Sequence, residues 1–265
     1  MTDWKLTFLG TGTSTGVPQI GCRCGVCSSA DPRDHRLRTS ALLEADGYNL
    51  LLDCGPDFRQ QMLRCGSPRI DAVAITHSHY DHTGGLDDLR PYAYGDSPLP
   101  IHCSKDVAHD ITERLPYCFG MTDYPGVPRL RTSVFRPYTT FRSGPLDIMP
   151  LDIDHGRMMI SGFRIGPVTY ITDCHTMPPA TLDAINGTET LVINALRIDP
   201  HPTHMNLQQA IDVINAVRPR KAYLTHMSHH FGLHADMAPT LPQGIEIAYD
   251  GLQITATTTQ TCIKL

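Results

Sequence analysis

Short apolar runs alternate along the chain with amphipathic stretches, which is the pattern of a protein that mixes strands and helices. Strands are predicted over the runs "KLTFLGT", "IDAVAITH", "GFRIGPVTYITDC", "TLVINAL" and "KAYLTH". In "ALLEADGYNLLLDCG" two apolar runs flank Asp46-Gly47, a dipeptide that favours a tight hairpin turn. The run "IEIAYDGLQITA" repeats this arrangement around Asp250-Gly251, so a second hairpin is predicted there.

Helical periodicity covers residues 58–65, 105–115 and 207–217, and Ser104 is a suitable N-cap for the second of these helices. The predicted fold class is therefore α/β. At 265 residues the chain suits one large domain or two small ones, and we expect one domain over residues 1–265.

Composition narrows the classes of partner. A hydrophobic content of 41% is enough for a substantial core, and the net charge of -5 gives no broad basic surface for nucleic acid. Apolar runs stay short of the roughly 18 residues of a membrane span, and "MTDWKLTFLGTG" does not resemble a signal peptide. With an odd number of cysteines, nine in all, we expect reduced thiols and a cytoplasmic location.

Residues 117–144 depart from the strand and helix rhythm. The segment is rich in proline, glycine and aromatic residues and is locally basic. An ordinary packed connection is one interpretation, because long loops often pack through their own side chains. A lid over the active site, or a contact in a homodimer, is the other.

The stretch "ITHSHYDH" places His77, His79, Asp81 and His82 directly after an apolar run. Imidazole is the commonest metal ligand in proteins, and a neighbouring carboxylate adds an oxygen donor, so this spacing indicates a metal site. Further along, His155, Asp173 and His226 also follow predicted strands, where sites on α/β scaffolds usually lie.

A second concentration of metal-binding side chains is "GCRCGVCSS", with Cys22, Cys24 and Cys27. Three thiolates at this spacing favour a tetrahedral zinc site that still needs a fourth ligand. Near the other end of the chain, "THMSHH" offers His229, with His230 as its rival. The loop "TGTSTG" could bind an anion through its N–H groups or be a tight turn without a ligand.

In this order, HxHxDH followed by a distant His, an Asp and a final His, the elements resemble the metallo-β-lactamase superfamily. That resemblance implies a four-layer αββα sandwich with two divalent metals. It implies that His77, His79 and His155 hold the first metal, that Asp81, His82 and His226 hold the second, and that Asp173 bridges them. Asp53, in "LLDCG", would support a ligand from behind, whereas His175 falls off the pattern.

Within the superfamily, "FLGTGTSTGVP", "GCRCGVC", "LTHMSHHF" and "AYDGLQI" resemble the phosphoribosyl cyclic phosphodiesterases of carbon-phosphorus lyase pathways and their relatives. This subgroup completes its cysteine cluster with the residue that corresponds to His229. It also uses a histidine near the leaving group, which His204 in "HMNL" matches better than His201 does.

The resemblance implies hydrolysis of a small cyclic or simple phosphodiester, such as phosphoribosyl 1,2-cyclic phosphate, by a metal-bridging hydroxide. Asp81, Asp173 and His204 would serve the reaction, His204 as proton donor. Manganese is expected at the active site, with zinc or iron as alternatives, and zinc at the cysteines. The competing hypotheses are a ribonuclease Z-like endonuclease, a hydrolase of thioesters or lactones, and a binding module without activity.

Overall fold

The computed structural model of the protein describes residues 3–93, 97–120 and 126–257. In these residues fourteen strands form two seven-stranded sheets. The first sheet contains β1 (Asp3–Gly10), β2 (Ser40–Ala45), β3 (Tyr48–Leu52), β4 (Ala72–Ala74), β5 (Leu99–Cys103), β6 (Leu130–Val134) and β14 (Gln253–Thr257). The second contains β7 (Phe141–Ser143), β8 (Leu146–His155), β9 (Met158–Ile165), β10 (Val168–Tyr170), β11 (Thr190–Asn194), β12 (Lys221–Thr225) and β13 (Ile245–Ile247).

The α-helices of the described residues are α1 (Phe58–Arg64), α2 (Tyr80–Thr83), α3 (Lys105–Arg114), α4 (Pro179–Ala184), α5 (Leu207–Val217) and α6 (His234–Met237). Short 3-10 turns cover Pro32–Asp34, Leu86–Tyr92, Pro116–Phe119 and Ala238–Thr240. The three predicted helices correspond to α1, α3 and α5, and the Ser104 hydroxyl accepts from the Val107 N–H as predicted. No helix in this part of the chain is long and apolar enough to span a membrane.

Successive side chains of each strand point to opposite faces of its sheet, and this alternation places apolar residues on both faces. In β3 the side chains of Leu50 and Leu52 enter the core between the two sheets, while Leu51 packs on the other face. That outer face carries α1 and α3, and on the second sheet α5 packs in the same way through Ala210 and Ile214. The predicted αββα sandwich is therefore confirmed, with two sheets face to face and helices outside each.

The hairpin over Asp46-Gly47 is confirmed, because β2 and β3 pair antiparallel across it. The hairpin predicted over Asp250-Gly251 is wrong, since β13 pairs with β12 in the second sheet and β14 pairs with β1 in the first. Asp250 instead accepts hydrogen bonds from the N–H groups of Thr11 and Leu37, at 2.9 and 2.7 Å. These contacts lead the chain across from one sheet to the other.

Much of the 117–144 segment adds edge strands to the sandwich. β6 pairs with β5 at the edge of the first sheet, and β7 pairs with β8 at the edge of the second, so the segment joins the two sheets. Residues 121–125 lie outside the described residues. Whether the segment also acts as a lid or a dimer contact stays a prediction.

Candidate metal centre and active site

The predicted ligands meet where strands of both sheets end. His77 lies shortly after β4, His155 is the last residue of β8, and Asp173 and His226 follow β10 and β12. Parallel pairing of β10, β11 and β12 brings their carboxyl ends to one edge. A hydrogen bond of 2.9 Å from the Ser161 N–H to the Thr76 carbonyl joins the two sheets beside this edge.

Three of the residues around the site have left-handed backbone conformations. Asp53, Asp173 and His226 have φ angles of 61°, 58° and 57°. A non-glycine residue in this region costs on the order of 1–3 kcal/mol, and such strain concentrates at functional sites. The sharp turns that result point these side chains inward at the ends of their strands.

Close backbone packing fixes the helix that carries Asp81 and His82. The Cys54 N–H donates to the His82 carbonyl at 2.9 Å, and the Gly85 N–H donates to the Cys54 carbonyl at 2.9 Å. A Cβ on Gly55 would lie 2.0 Å from the Asp81 carbonyl oxygen. Glycine is therefore required in "LLDCG" for the chain to approach α2 so closely.

His77, His79 and His155 form a first group whose ligand atoms lie within 4.8 Å of one another. His77 Nε2 is 3.0 Å from His79 Nδ1, so these two lone pairs can meet at one ion. His155 Nδ1 lies 2.9 Å from the Thr203 carbonyl, to which it can only donate. That hydrogen bond leaves His155 Nε2 as the acceptor of the ring, which is the form a metal binds.

Asp81, His82, Asp173 and His226 form a second group, and all four side chains are buried. His82 Nε2 is 3.2 Å from Asp81 Oδ2 and 3.3 Å from Asp173 Oδ2. His226 Nε2 is 3.0 Å from Asp173 Oδ1. Neither of these buried Nε2 atoms has a partner in hydrogen-bond geometry among the described residues. Imidazole nitrogens without hydrogen-bond partners that lie this close to carboxylate oxygens fit a shared cation.

Asp173 connects the two groups. Its carboxylate belongs to the second group and also lies within the same 4.8 Å limit of His155, a member of the first group, and of His204. A carboxylate with one oxygen towards each of two ions can bridge them. The donor set of imidazoles and carboxylates therefore fits two divalent metals with Asp173 between them.

The charges of the metal-free site reflect this crowding. Burial raises the pKa of Asp173, but the imidazolium groups of His226 and His82 outweigh burial and hold that pKa well below its usual range. Burial lowers the pKa of His226, and the Asp173 carboxylate more than compensates, so that the pKa rises to about 9. For His77 burial dominates and keeps the pKa well below the usual value, so this ring is neutral and ready to bind a metal.

Asp53 lies behind His82, as the sequence suggests. Its Oδ2 is 2.8 Å from His82 Nδ1, and both side chains are fully buried. The Thr76 N–H and hydroxyl also donate to Asp53, and the same hydroxyl lies 3.0 Å from His77 Nδ1. Thr76 thus orients ligands of both groups. The sequence patterns do not point to Thr76, although it directly precedes His77.

His204 lies over the second group. Its Nε2 is 3.0 Å from Asp173 Oδ1, and its Nδ1 is 2.9 Å from the Thr203 hydroxyl and 3.2 Å from His201 Nδ1. Burial lowers the pKa of His204 to about 4. His201 therefore contacts His204 from the far side of the ring, rather than replacing it beside Asp173.

An open cavity of about 820 Å³ lies against these side chains, with His79, His155, Asp173, His175 and His204 among its lining. No residue from the described parts of the 117–144 segment lines it. His175 reaches the cavity wall without joining a ligand group of the described residues. The cavity leaves the predicted metal centre open to a small substrate.

The predicted zinc ligands also come together. Cys22, Cys24, Cys27 and His229 form one group, in which His229 Nδ1 lies 3.3 Å from the sulfurs of Cys22 and of Cys24. The Cys27 N–H and His229 lower the pKa of Cys24 to about 6, which favours the thiolate. Three sulfurs and one imidazole nitrogen match a structural zinc site, and His230 is not in the group.

The loop "TGTSTG" uses most of its N–H groups within the protein. Thr11 N–H binds Asp250, Gly12 N–H binds the Leu37 carbonyl, and Thr13 N–H binds the Met227 carbonyl. The Met227 N–H in turn donates to the Thr11 carbonyl at 2.9 Å. These bonds make the loop a support for the segment that carries His226, and they leave few donors for an anion.

Sheet order, ligand groups and cavity together are those of a metallo-β-lactamase fold with a candidate metal centre. Residues 48–227 match the family model described as "Beta-lactamase superfamily domain". The chain belongs to the metallo-β-lactamase superfamily.

Similar proteins refine the placement. A crystal structure described as a new diphosphatase from the PhnP family is 36% identical, with a TM-score of 0.90 over 97% of this chain and 98% of that one. An octanoyltransferase of Porphyromonas gingivalis is 42% identical over 94% of this chain, which spans only 51% of that relative's length. Ribonuclease BN of Cronobacter sakazakii is 26% identical over 93% of this chain and 73% of its own length. The resemblance to the PhnP-type subgroup is therefore confirmed.

Proposed function

We propose that residues 1–265 form one hydrolase domain, a binuclear metal-dependent phosphodiesterase that acts on a small cyclic or simple phosphodiester. His77, His79 and His155 would hold one metal, Asp81, His82 and His226 the other, and Asp173 both. Manganese is the metal we expect at these positions, and zinc at Cys22, Cys24, Cys27 and His229. Phosphoribosyl 1,2-cyclic phosphate is one substrate of the proposed class.

The observation that carries the proposal is the position of Asp173, shared by both ligand groups and within 3.0 Å of His204 Nε2. When bound there, two divalent cations would supply an activated water and offset the negative charge that develops on the phosphoryl oxygens. The PhnP-family relative is described as a diphosphatase and is 36% identical to this chain over nearly the whole of both chains. Phosphoryl chemistry in that relative supports the proposal.

His204 has the contacts of a proton donor. The Thr203 hydroxyl can donate to His204 Nδ1, which leaves the proton of the neutral ring on Nε2, facing Asp173 and the cavity. Burial disfavours the charged imidazole, but an anionic phosphoryl group beside the ring would favour it and raise the pKa of His204. His204 would then transfer its Nε2 proton to the departing alkoxide.

Hydrolysis of an acyl ester or thioester is a second candidate, because the P. gingivalis relative is named an octanoyltransferase. The chain spans about half of that relative, so the name does not assign the activity to the matched half. Ribonuclease activity, which the similarity to ribonuclease BN raises, is a third outcome. The phosphodiesterase, thioesterase and ribonuclease activities are compared in one assay series. Purified metal-loaded protein is tested on small cyclic and linear phosphodiesters, an acyl thioester and a tRNA precursor.

The sharpest test of the mechanism removes His204. A general acid contributes about 10²- to 10⁴-fold when the leaving group is poor, and little when it is good. His204→Ala should lower the kcat for an alkyl diester by roughly that factor and largely spare a p-nitrophenyl diester, with metal content unchanged.

His175→Ala is the matched control, since it removes another imidazole from the cavity wall without touching Asp173. Equal losses on both diesters would show that His204 binds substrate rather than donating a proton. Loss of metal would make His204 a ligand, as its grouping with His155 and Asp173 permits. Turnover of the thioester alone would overturn the phosphodiesterase proposal.

A further inference from the structure

The end of β11 lies between the two strands that lead to Asp173 and His226, although the ligand groups of the described residues include none from β11 itself. β11 pairs parallel with β10 on one side and with β12 on the other. Its last residue is Asn194, whose side chain is fully buried. Burying an amide costs free energy unless its oxygen and nitrogen find hydrogen-bond partners, so the partners of Asn194 indicate its role.

Both polar atoms of the Asn194 side chain bind the backbone of Cys174, the residue after Asp173. The Cys174 N–H donates to Asn194 Oδ1 at 2.8 Å, and Asn194 Nδ2 donates to the Cys174 carbonyl at 2.9 Å. This two-point contact is equivalent to the pairing that a residue of a neighbouring antiparallel strand would make. It therefore fixes the backbone directly after Asp173.

Asp173 depends on such support because its backbone conformation is strained. Its φ of 58° lies in the left-handed region, where a non-glycine residue persists only if its surroundings hold it. The turn aims the carboxylate between two ring nitrogens, so that Oδ2 lies 3.3 Å from His82 Nε2 and Oδ1 lies 3.0 Å from His226 Nε2. Relaxation of the turn would move both carboxylate oxygens away from these positions.

The same carbonyl also holds the loop of His204. The Cys174 carbonyl accepts from the Met205 N–H at 2.7 Å, and Met205 directly follows His204. A carbonyl oxygen has two lone pairs, so Asn194 Nδ2 and the Met205 N–H can bind it together. His204 Nε2 lies 3.0 Å from Asp173 Oδ1. The backbone of Cys174 therefore sets the position of His204 relative to Asp173.

We propose that Asn194 is a positioning residue that holds the Asp173 turn, and with it the distance between Asp173 and His204, in the geometry that binds metal. It acts through the backbone of Cys174. The inference rests on the proposed binuclear centre, because Asp173 is the ligand that both metals would share. If Asn194 only filled space, loss of its amide would lower the stability of the fold and leave metal binding unchanged.

Asn194→Leu tests the proposal, since it keeps a similar side-chain volume and removes both hydrogen bonds. The variant is titrated with Mn²⁺ in competition with a chelator of known affinity. Mn²⁺ should bind roughly 10- to 100-fold more weakly than in the parent protein, as is typical when the support of a metal ligand is lost. The zinc content at the cysteines should stay at the parent value, which would report a folded chain.

Two further variants separate positioning from a general loss of stability. Thr169→Val removes a buried hydroxyl from β10 that donates to the Thr188 hydroxyl at 2.9 Å, and it should lower the thermal midpoint without changing the Mn²⁺ affinity. Asn194→Ser leaves room for a water on the Cys174 N–H, so it should fold even if Asn194→Leu does not. Mn²⁺ should still bind more weakly to Asn194→Ser than to the parent.

A double-mutant cycle shows whether Asn194 acts through Asp173. If it does, adding Asn194→Leu to Asp173→Asn should cost no further Mn²⁺ affinity, because the group that Asn194 positions is already impaired. Additive losses in the double variant would overturn the inference. Parent-like Mn²⁺ affinity in both Asn194→Leu and Asn194→Ser would overturn it as well.

Metal binding separates this inference from the proposed function, since it needs no turnover. If the metal-loaded parent hydrolyses no phosphodiester, the phosphodiesterase proposal fails, and a non-additive loss of affinity would still support the role of Asn194. Where turnover is observed, Asn194→Leu at saturating Mn²⁺ should lower kcat by about 10²-fold rather than raise KM, because a misplacement of about 1 Å at Asp173 and His204 affects the reacting groups. Hydrolysis with parent-like kcat and Mn²⁺ affinity in Asn194→Leu would overturn the inference and leave the proposed function standing.

Discussion

Asp53 shows how a single carboxylate outside the ligand groups can control the site. It is fully buried, accepts from Thr76 twice and lies 2.8 Å from His82 Nδ1. A carboxylate that holds the far nitrogen of a ligating histidine fixes both the ring orientation and the tautomer. Asp53 therefore belongs to the predicted metal centre, although it is not one of its ligands.

Asp53→Asn should weaken metal binding at the predicted second position. Loss of such a supporting partner typically costs about 10- to 100-fold in metal affinity, and the amide keeps the shape of the side chain. Competition with a chelator of known affinity measures the change. Asp57→Asn is the control, because Asp57 pairs with Arg38 instead of a histidine. Equal metal affinity in the parent protein and in Asp53→Asn would show that Asp53 does not support metal binding through His82.

The sequence predicts the ligands better than their supports. His77, His79, Asp81 and His82 form one dense local motif, so their grouping can be predicted from spacing. Thr76 and the Thr203 carbonyl could not be assigned in this way, because a threonine or a backbone oxygen carries no distinctive signal until the fold places it behind an imidazole. The roles of the ligands themselves stay predictions until metal is measured.

At the scale of the secondary-structure elements, the segment after β12 links the two predicted metal sites. His226 lies in the second ligand group, and His229, three residues later, lies against Cys22 and Cys24. The Thr11 to Thr13 loop binds Met227 between them. Zinc at the cysteines would therefore brace the backbone that presents His226.

Cys24→Ser should remove one zinc and lower the thermal midpoint, because structural zinc contributes directly to the free energy of folding. A loss of only about 2 kcal/mol would shift the midpoint of a chain of this size by roughly 4–8 °C. Cys65→Ser, at the C-cap of α1, is the control and should change neither quantity. Unchanged zinc content and melting in Cys24→Ser would require another role for the cysteines.

Elements with local signals were predictable, and those fixed by distant contacts were not. The helices α3 and α5 carry their own caps and periodicity, and both form where the sequence places them. The Asp250-Gly251 hairpin failed because the partners of Asp250 are Thr11 and Leu37, far away in sequence. Local turn chemistry cannot show that a carboxylate will bind another loop rather than close its own turn.

At the scale of the whole molecule, two sheets must pack before a metal site exists. β4 and β8 lie in different sheets, yet His77 and His155 belong to one ligand group. Only the order of motifs in the superfamily predicted that His77 and His155 would lie together, because the packing of distant strands gives no local signal in the sequence. Metal binding should accordingly stabilise the packed sandwich as a unit.

Protons compete with metal for the assembled site. In the metal-free protein the pKa of His226 is about 9, and that of His82 is raised, chiefly by Asp173 against the opposing effect of burial. Both rings are therefore protonated at pH 7 and must lose a proton to bind a cation. Affinity should therefore rise with pH below about 9, the pKa of His226, and rise less steeply above it.

Calorimetry in two buffers of different ionisation enthalpy measures this release at pH 7. The apparent enthalpy of metal binding should differ between the buffers, and the difference should shrink in Asp173→Asn, where the imidazoles lose their neighbouring charge. Identical enthalpies in both buffers would mean that His82 and His226 are already neutral, contrary to the charges described above.

A metal titration of activity tests most directly whether the protein needs two metals around Asp173 to hydrolyse a phosphodiester. Protein stripped of the active-site metals but retaining zinc at the cysteines is titrated with Mn²⁺, while turnover of thymidine 5′-(p-nitrophenyl) phosphate is followed. Turnover should be absent at the start, rise with added metal and level off at two equivalents per chain; Asp173→Ala should remain inactive throughout. Full activity without added metal, saturation at one equivalent, or no turnover at any metal concentration would contradict the account.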